Sequence, residues 1–365
     1  MTTRAGELVT LRLRRGWRSA APKRGSSGVE ACKLAAVRAA ITGASGLLGG
    51  NLAAELVAAG HQVIATRRTG TRTAHLDDLP IDWRDADLGS TAALTRAFEG
   101  ADVVFHCAAA VTVVRDVSPA LTAANVTGTE NVIAAVAAAR VPRLVHTSSV
   151  VAVGLTTNGK PCDETATWNF DREGLGDAYA ITKRRAEDVV ERARDRIDAV
   201  VVNPTYMLGP RDARPSSGQL IIDIVRRRVP GWTPGYNNFV DVRDVARGMV
   251  AAWQRGKRGE RYILGGHEMT YHQVMDEIGR VAGVRPPLFR VPQRIAWLVG
   301  KYGDFVESRG KEPLVNSVQI RYAYTDQFRF TAAKAIRELG YTIGPLDPAI
   351  RDAITWFRSH GMLKN

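Results

Sequence analysis

A glycine-rich turn between a strand and a helix is the feature that most restricts the fold of this chain. The turn Thr42–Gly49 follows an apolar strand predicted over 37–42 and opens a helix predicted over 47–59. A second strand is predicted over 62–66. A helix N-terminus approached by bare glycine backbone binds phosphate groups through its free amides and its dipole. The spacing therefore predicts a parallel βαβ unit with a dinucleotide-binding turn.

The alternation of short apolar runs and helical stretches continues well beyond this unit. Further strands are predicted over 103–106, 144–147 and 199–203, and further helices over 92–98, 126–139 and 178–195. Such alternation is typical of a parallel sheet covered by helices on both faces. We predict a Rossmann-like, doubly wound α/β fold with its ligand crevice at the carboxyl ends of the strands.

After residue 203 the pattern changes to segments interrupted by proline and glycine, which indicates a second, smaller lobe. A strand and helix near 239–253 and a strand at 261–264 are expected to return to the first domain. We assign residues 36–208 and 239–265 to the dinucleotide-binding domain, and residues 209–238 and 266–365 to an interleaved C-terminal substrate-binding lobe. Residues 1–35 are expected to form a basic, disordered extension.

Charge and cysteine content limit the classes of partner. The net charge is +13, and residues 1–35 contribute eight Lys/Arg against two Glu, or +6. The modest remaining excess suits an anionic small molecule, and we expect no nucleic-acid partner. No apolar run reaches the roughly 18–20 residues of a membrane span. The three cysteines form no CxxC pair, so neither a disulfide framework nor a thiolate metal site is indicated, and a cytoplasmic location is expected.

One apolar helix face in the C-terminal part has two interpretations. It is formed by Ile295, Leu298, Val299, Tyr302 and Phe305, at helical spacing behind Pro292. Packing against the rest of the molecule is the expected role. A lid or a lipid-facing surface is the alternative.

Several residues are candidates for holding the nucleotide. The turn supplies Gly43, Ser45, Gly46, Leu47, Leu48 and Gly49. Arg67 and Arg68 follow the second strand, where an acidic residue would select NAD, and two guanidinium groups with no acid nearby suit a 2′-phosphate. We therefore expect NADP(H) rather than NAD(H), with solvated surface arginines as the alternative. Asp87 and Leu88 are candidates for adenine contact, and the small Ala108 and Ala109 let the nucleotide lie against backbone.

Tyr179 and Lys183 stand four residues apart, which places both side chains on one face of a helix. A lysine charge there is expected to lower the tyrosine pKa, so that the phenol can act as an acid or base. The spacing alone also fits a structural pair. Ser149, at the end of the strand over 144–147, is expected to hydrogen-bond a reacting carbonyl oxygen; we prefer it to Ser148 because the later residue reaches the rim. Cys107, His106 and His146 are expected to be packed rather than catalytic.

These motifs together resemble the extended short-chain dehydrogenase/reductases of the NAD-dependent epimerase/dehydratase family over residues 36–360. The chain is most similar to the dihydroflavonol-4-reductase-like branch, including its hopanoid-associated sugar epimerase type. Its further motifs are Asn125–Thr129, Asn203-Pro204, Gly209–Asp212, Asp244–Ala246 and Arg261–Gly266. Two positions depart from the family pattern: Thr182 replaces a serine, and Asp241 and Arg243 replace the usual His and Asp.

The resemblance implies roles for individual residues. Arg68 would contact the NADP 2′-phosphate, and Pro204 would border the cofactor. Asn125 would support the active-site helix and take part in a proton relay. The family includes monomers and homodimers, so either is expected.

Three functions follow from these predictions. The first is an NADP(H)-dependent oxidoreductase that interconverts a carbonyl and an alcohol, with Ser149, Tyr179 and Lys183 as its triad. The second is a nucleotide-sugar epimerase or dehydratase that recycles its cofactor, although Val150 and Val151 stand where dehydratases carry an acid. The third is a dinucleotide-sensing protein without catalysis.

Overall fold

The sheet strands are short and largely buried. The computed structural model describes residues 36–311, 313 and 315–364. Its strands are β1 Arg38–Thr42, β2 Gln62–Arg67, β3 Ile81–Asp85, β4 Val103–His106, β5 Leu144–Thr147, β6 Ala199–Pro204, β7 Tyr206–Leu208, β8 Tyr236–Asp241, β9 Arg261–Leu264 and β10 His267–Thr270. All residues of β4, β5 and β6 are buried, as expected for strands covered on both faces.

The main sheet has seven parallel strands in the order β3-β2-β1-β4-β5-β6-β9. The chain leaves β1 in one direction toward β2 and β3, and later returns to pair β4 on the other side of β1. The ends of β1 and β4 therefore border the crevice where the strand order reverses, which is the usual ligand position in such sheets. The predicted Rossmann-like α/β fold is confirmed.

Helices cover both faces of this sheet. The α-helices of the described residues are α1 Leu47–Ala58, α2 Thr91–Phe98, α3 Pro119–Thr122, α4 Gly128–Ala138, α5 Ala178–Arg192, α6 Gln219–Val225, α7 Val242–Arg255, α8 Tyr271–Ala282, α9 Gln293–Ser308, α10 Ser317–Tyr324, α11 Ala333–Leu339 and α12 Leu346–Ser359. Buried residues of α1, α7 and α11 pack on one face, and those of α2, α4 and α5 pack on the other. Two apolar layers thus sandwich the sheet.

A second, three-stranded sheet has the order β10-β8-β7, with β7 and β8 parallel and β8 and β10 antiparallel. Its core is completed by α6, α8 and α12. The strand that we expected near 239 therefore lies in this small sheet, whereas the strand at 261–264 joins the main sheet as β9. Helix α7, which follows β8, does pack on the main sheet, on the same face as α1 and α11.

The predicted strands and helices of the first half agree with the structure to within a few residues. The edge strand β3 was missed because Ile81, Asp82, Trp83, Arg84 and Asp85 lack a continuous apolar run. The predicted helix over 126–139 is preceded by a π-helical segment, Ala123–Thr127. Such a segment reorients the side chains that follow it.

The apolar face at 295–305 does not pack as expected. Its large residues are exposed, with Leu298 64% and Tyr302 68% accessible. The buried residues of α9 are the small Ala296, Gly300 and Gly303. The expectation of packing failed because α9 meets the segment around Val315–Ser317 through its small residues. Large apolar side chains would not allow so close an approach.

The extension predicted over 1–35 lies outside the described residues. Within the described ranges, no helix combines the length and apolar character needed to cross a membrane. The two-lobe division stays a prediction.

Candidate active site

The glycine turn sits at the strand-order reversal and depends on glycine at two positions. Gly43 has φ +76, and a Cβ there would lie 2.6 Å from the Cα of Ala108, two residues after β4. A Cβ on Gly49 would lie 2.3 Å from the Gly43 carbonyl oxygen. These contacts hold the start of α1 tightly against β1 and β4. The N-cap residue of α1 is Gly46, which has no side chain to bind the first amides of the helix. Those amides remain available to an anion.

The two arginines after β2 have different surroundings. The Arg67 Nε lies 3.0 Å from Asp85 Oδ1 at the end of β3, and its guanidinium lies 5.7 Å from the Trp83 ring centroid. The expectation of no acid near this pair is therefore wrong, because strand pairing brings Asp85 beside Arg67. Arg68 is exposed and makes no ion pair with any described residue. Arg68 is the better candidate for an anionic ligand.

The remaining candidates for nucleotide contact follow the carboxyl ends of strands β3, β4 and β6. Asp87 is exposed, and its carboxylate accepts a hydrogen bond from the Gly89 amide at 2.7 Å. Leu88 packs against Gly128 at the start of α4. Ala109 is half-buried beside Ala108, and Pro204 is buried at the end of β6.

Ser149, Tyr179 and Lys183 come together at the carboxyl ends of β5 and β6. The Ser149 hydroxyl accepts from the Val151 amide at 3.4 Å and lies close enough to the Tyr179 phenol to lower its pKa. The buried Lys183 Nζ donates to the Thr147 carbonyl at 2.9 Å and lies 6.0 Å from the Tyr179 ring centroid. The buried Ser148 hydroxyl has no hydrogen-bond partner among the described residues.

Burial dominates the proton affinities of this group. It raises the pKa of Tyr179 to about 12, although the nearby Ser149 hydroxyl opposes that shift. It lowers the pKa of Lys183 to about 8. The expected lowering of the tyrosine pKa by the lysine is not seen in this arrangement. At neutral pH the phenol is protonated and can donate a proton.

Asn125 lies in the π-helical segment and joins the Ala110 backbone to the Thr182 side chain. Its amide accepts from the Ala110 amide at 2.7 Å and donates to the Ala110 carbonyl at 2.9 Å. It also donates to the Thr182 hydroxyl at 3.1 Å. Thr182 in turn donates to the Ala178 carbonyl at 2.8 Å on the helix that carries Tyr179. The threonine at this position therefore keeps the hydroxyl on which the contact depends.

A network that sequence reasoning missed fixes the Ser149 backbone. Asn203 Nδ2 donates to the Ser149 carbonyl at 3.0 Å and to Glu187 Oε2 at 2.9 Å. The other Glu187 oxygen pairs with Arg261 at 3.0 Å. Asn203 and Arg261 stood in recognised motifs, but only the packing of α5 against β6 and β9 shows that they meet through Glu187.

A second missed contact joins the C-terminal helices to the start of the catalytic helix. Asp177 caps α5 by accepting from the Ala180 amide at 2.6 Å. Its other oxygen accepts from the Tyr322 phenol of α10 at 2.7 Å. No sequence signal pointed to Tyr322, which lies 145 residues away.

The remaining polar groups near the site are packed. His106 is buried between Thr42 and Thr129, with ring contacts of 2.7 and 3.1 Å, and burial lowers its pKa to about 3. Burial also lowers the pKa of His146 well below its usual value and raises the pKa of Cys107 to about 11. Neutral imidazoles and a protonated thiol agree with packing roles.

The departure at 241 and 243 is internally compensated. Asp241 caps α7 by accepting from the Arg243 amide at 2.8 Å. The Arg243 guanidinium binds Asp241 at 2.7 Å and Asp352 of α12 at 2.6 Å. Asp241 and Arg243 thus pair with each other, and Arg243 also connects α7 to α12.

The fold and the site define a dinucleotide-binding α/β enzyme with a serine, tyrosine and lysine at the sheet edge. Residues 39–265 match the model of the NAD dependent epimerase/dehydratase family. The chain belongs to this family and is an enzyme of its extended short-chain dehydrogenase/reductase type.

Three relatives extend this finding. "Putative dihydroflavonol 4-reductase" of Synechocystis sp. is 34% identical over 89% of this chain and 95% of that protein. "Sterol demethylase protein B" of Methylococcus capsulatus is 33% identical over 88% and 99%. The crystal structure of a nucleoside-diphosphate-sugar epimerase from Pseudomonas aeruginosa superposes with TM-score 0.75 at 27% identity, covering 90% and 99%. The resemblance to the dihydroflavonol-4-reductase-like branch is confirmed.

Proposed function

We propose that the protein is an NADP(H)-dependent oxidoreductase that interconverts a carbonyl and an alcohol. The observation that carries this proposal is the convergence of Ser149, the protonated Tyr179 and the buried Lys183 at the carboxyl end of β5, where Lys183 Nζ donates to the Thr147 carbonyl at 2.9 Å. Reductases among the relatives support it, since cinnamoyl-CoA reductases of rice and Arabidopsis are 32% and 28% identical over part or most of the chain.

The residues of the glycine turn fit a dinucleotide. The uncapped N-terminus of α1 offers amides to a pyrophosphate, and Gly43 and Gly49 keep that end of the helix at the crevice. Arg68 offers an unshared guanidinium to a 2′-phosphate, which favours NADP(H) over NAD(H). When bound, the nicotinamide supplies or accepts the hydride.

The chain's own groups then manage one proton and one oxygen. Ser149 and Tyr179 both direct hydroxyl groups at a carbonyl oxygen placed between them. Tyr179 gives that oxygen its proton during reduction and takes it back during oxidation. The Lys183 ammonium stabilises negative charge that develops on the phenol oxygen, and Asn125 holds the helix segment beneath it through Thr182.

A nucleotide-sugar epimerase is the second candidate. The structural likeness to the Pseudomonas aeruginosa epimerase favours it. The apolar pair Val150 and Val151 after Ser149 weakens the dehydratase version, because that chemistry needs an acid near the substrate.

Cofactor consumption separates the two candidates. The full-length protein is mixed with NADPH, or with NADH, and a panel of aldehydes, ketones, dihydroflavonols, acyl-CoA esters and nucleotide sugars, with product analysis. Net NADPH oxidation that matches alcohol formation is expected. Product from a nucleotide sugar without net change in absorbance at the reduced-nicotinamide band would contradict the reductase.

A further inference from the structure

Helix α9 exposes the residues that an ordinary surface helix buries. Its exposed large side chains are Ile295, Trp297, Leu298, Val299, Tyr302 and Phe305. Leu288 and Phe289, in the segment just before the helix, are also exposed, at 80% and 58%. A continuous apolar helix face of this kind on a folded protein indicates an interaction surface. We call the six residues of α9 the apolar face.

The inverted orientation of α9 is enforced by close packing. A Cβ on Gly303 would lie 1.8 Å from the Val315 carbonyl oxygen, and one on Gly300 would lie 3.0 Å from the Ser317 Cα. The helix therefore rests on its small residues and cannot rotate to bury the large ones without leaving the contact with α10. Exposure of the apolar face is a built feature of this packing.

The charges of α9 are segregated in the same sense. Arg294, Lys301 and Arg309 are exposed, and Lys301 and Arg309 lie 5.4 and 4.5 Å from the Trp297 and Phe305 ring centroids. The acidic residues of the helix are less exposed: Asp304 accepts from the Ser317 amide at 2.9 Å and from Lys301 Nζ at 3.2 Å, and Glu307 accepts from Asn316 at 3.1 Å. The exposed side of the helix is thus apolar and basic.

We propose that the apolar face and its three cations dock on the surface of an anionic lipid bilayer. Interfacial helices have this composition, with aliphatic and aromatic residues at the acyl boundary and Lys or Arg against the headgroups. Tryptophan and tyrosine favour this interface because their rings are amphipathic. At 16 residues α9 is about 24 Å long, enough for several side chains to insert together.

Charge argues against two other occupants. A second copy placed on this face about a two-fold axis would bring the same three cations, Arg294, Lys301 and Arg309, into the contact from each chain. Residues 1–35 carry a net charge of +6 and would be repelled by the same cations. An anionic surface satisfies both the apolar face and the charges.

Vesicle binding of the full-length chain tests the proposal. Vesicles of phosphatidylcholine, with and without phosphatidylglycerol, are sedimented with the parent and with a Leu298→Gln/Tyr302→Gln/Phe305→Gln variant. The parent is expected to bind the anionic vesicles, and the triple variant to bind at least about tenfold more weakly because three inserting side chains are lost. Its circular dichroism and thermal unfolding should match the parent, since all three residues are exposed.

Two matched pairs separate this face from general attraction. Ile336→Gln alters an exposed apolar residue on α11 and should leave binding unchanged, whereas Leu298→Gln should weaken it. Arg294→Gln/Lys301→Gln should weaken binding more than Arg196→Gln/Arg358→Gln, which removes the same charge elsewhere on the surface. Absence of parent binding, or equal binding by the triple variant, overturns the proposal. A parent dimer that becomes monomeric in the triple variant, without vesicle binding, assigns the face to a second copy and also overturns it.

Discussion

Lys183 links the activity of the enzyme to pH through a single side chain. Burial lowers its pKa to about 8, so its ammonium is charged below that pH and loses its proton above it. If Lys183 acts through its charge, kcat/KM for the cofactor, which reports the free enzyme, should fall with increasing pH above about 8. Tyr179, with a pKa near 12, stays protonated over this range.

The Lys183→Arg variant is the control for this pH profile. An arginine keeps its charge throughout the range, so the decline above about pH 8 should disappear even where the overall rate is lower. A decline of unchanged position in the variant would show that another group titrates.

Arg68 is expected to determine the cofactor preference. In Arg68→Gln the ratio of kcat/KM with NADPH to that with NADH should fall about tenfold or more, because the 2′-phosphate loses a charged hydrogen-bond partner. Arg72→Gln, which changes an exposed arginine four residues on, should leave the ratio unaltered. Equal ratios in the parent and Arg68→Gln would remove Arg68 from the cofactor site.

At the residue scale, sequence spacing predicted the polar groups but not all their partners. Tyr179 and Lys183 are neighbours because they stand one helical turn apart, and that follows from spacing alone. The pairing of Arg67 with Asp85 depends on the register of β2 and β3, and β3 has no clear sequence signal. The balance between burial and the Ser149 hydroxyl that sets the Tyr179 pKa likewise needs coordinates.

Helix α10 is expected to position the catalytic helix through one hydroxyl. In Tyr322→Phe the Asp177 cap of α5 loses its phenol partner inside the protein, at a cost of about 1–3 kcal/mol in the free energy of unfolding. The start of α5 should also loosen, so kcat should fall more than KM changes.

Tyr324→Phe is the matched control, because Tyr324 lies on the same helix but does not contact α5. The change removes its 2.7 Å hydrogen bond to the Val291 carbonyl. A comparable drop in kcat in both variants would mean that α10 acts only through general stability. Urea unfolding and steady-state kinetics on the two variants give the comparison.

At the element scale, the βαβ pattern was predictable wherever strands were continuous apolar runs, as in β4 to β6. The face of α9 was misassigned because helical periodicity reports which residues share a face but not which face meets the protein. Gly300 and Gly303 decide that question, and their role is visible only in the contact with the segment before α10.

The whole molecule is tied together by the Arg243 bridge between α7 and α12. Arg243→Ala removes two partly buried ion pairs, with Asp241 and with Asp352, and leaves the buried Asp241 without its guanidinium partner. We expect a loss of about 1–3 kcal/mol in the free energy of unfolding. The comparison is Arg351→Ala on α12, which removes an exposed pair of 3.8 Å with Asp347 and should cost less than about 0.5 kcal/mol in urea. Equal losses would mean that the bridge contributes nothing specific.

At this scale the sequence predicted the Rossmann-like sheet but not the three-stranded sheet of β7, β8 and β10. Those strands are three to six residues long and pair across distant parts of the chain, so no local pattern specifies them. β6 and β7 therefore belong to different sheets, although only Thr205 separates them along the chain.

The Tyr179→Phe variant tests most directly whether the phenol carries the chemistry. NADPH binding is followed by nicotinamide fluorescence, and turnover is measured with the carbonyl substrate that the parent consumes. We predict unchanged NADPH affinity and a loss of kcat of about 10² to 10⁴, the usual contribution of a positioned acid or base. Turnover at the parent rate with NADPH affinity retained would contradict the assignment of Tyr179 as the proton donor.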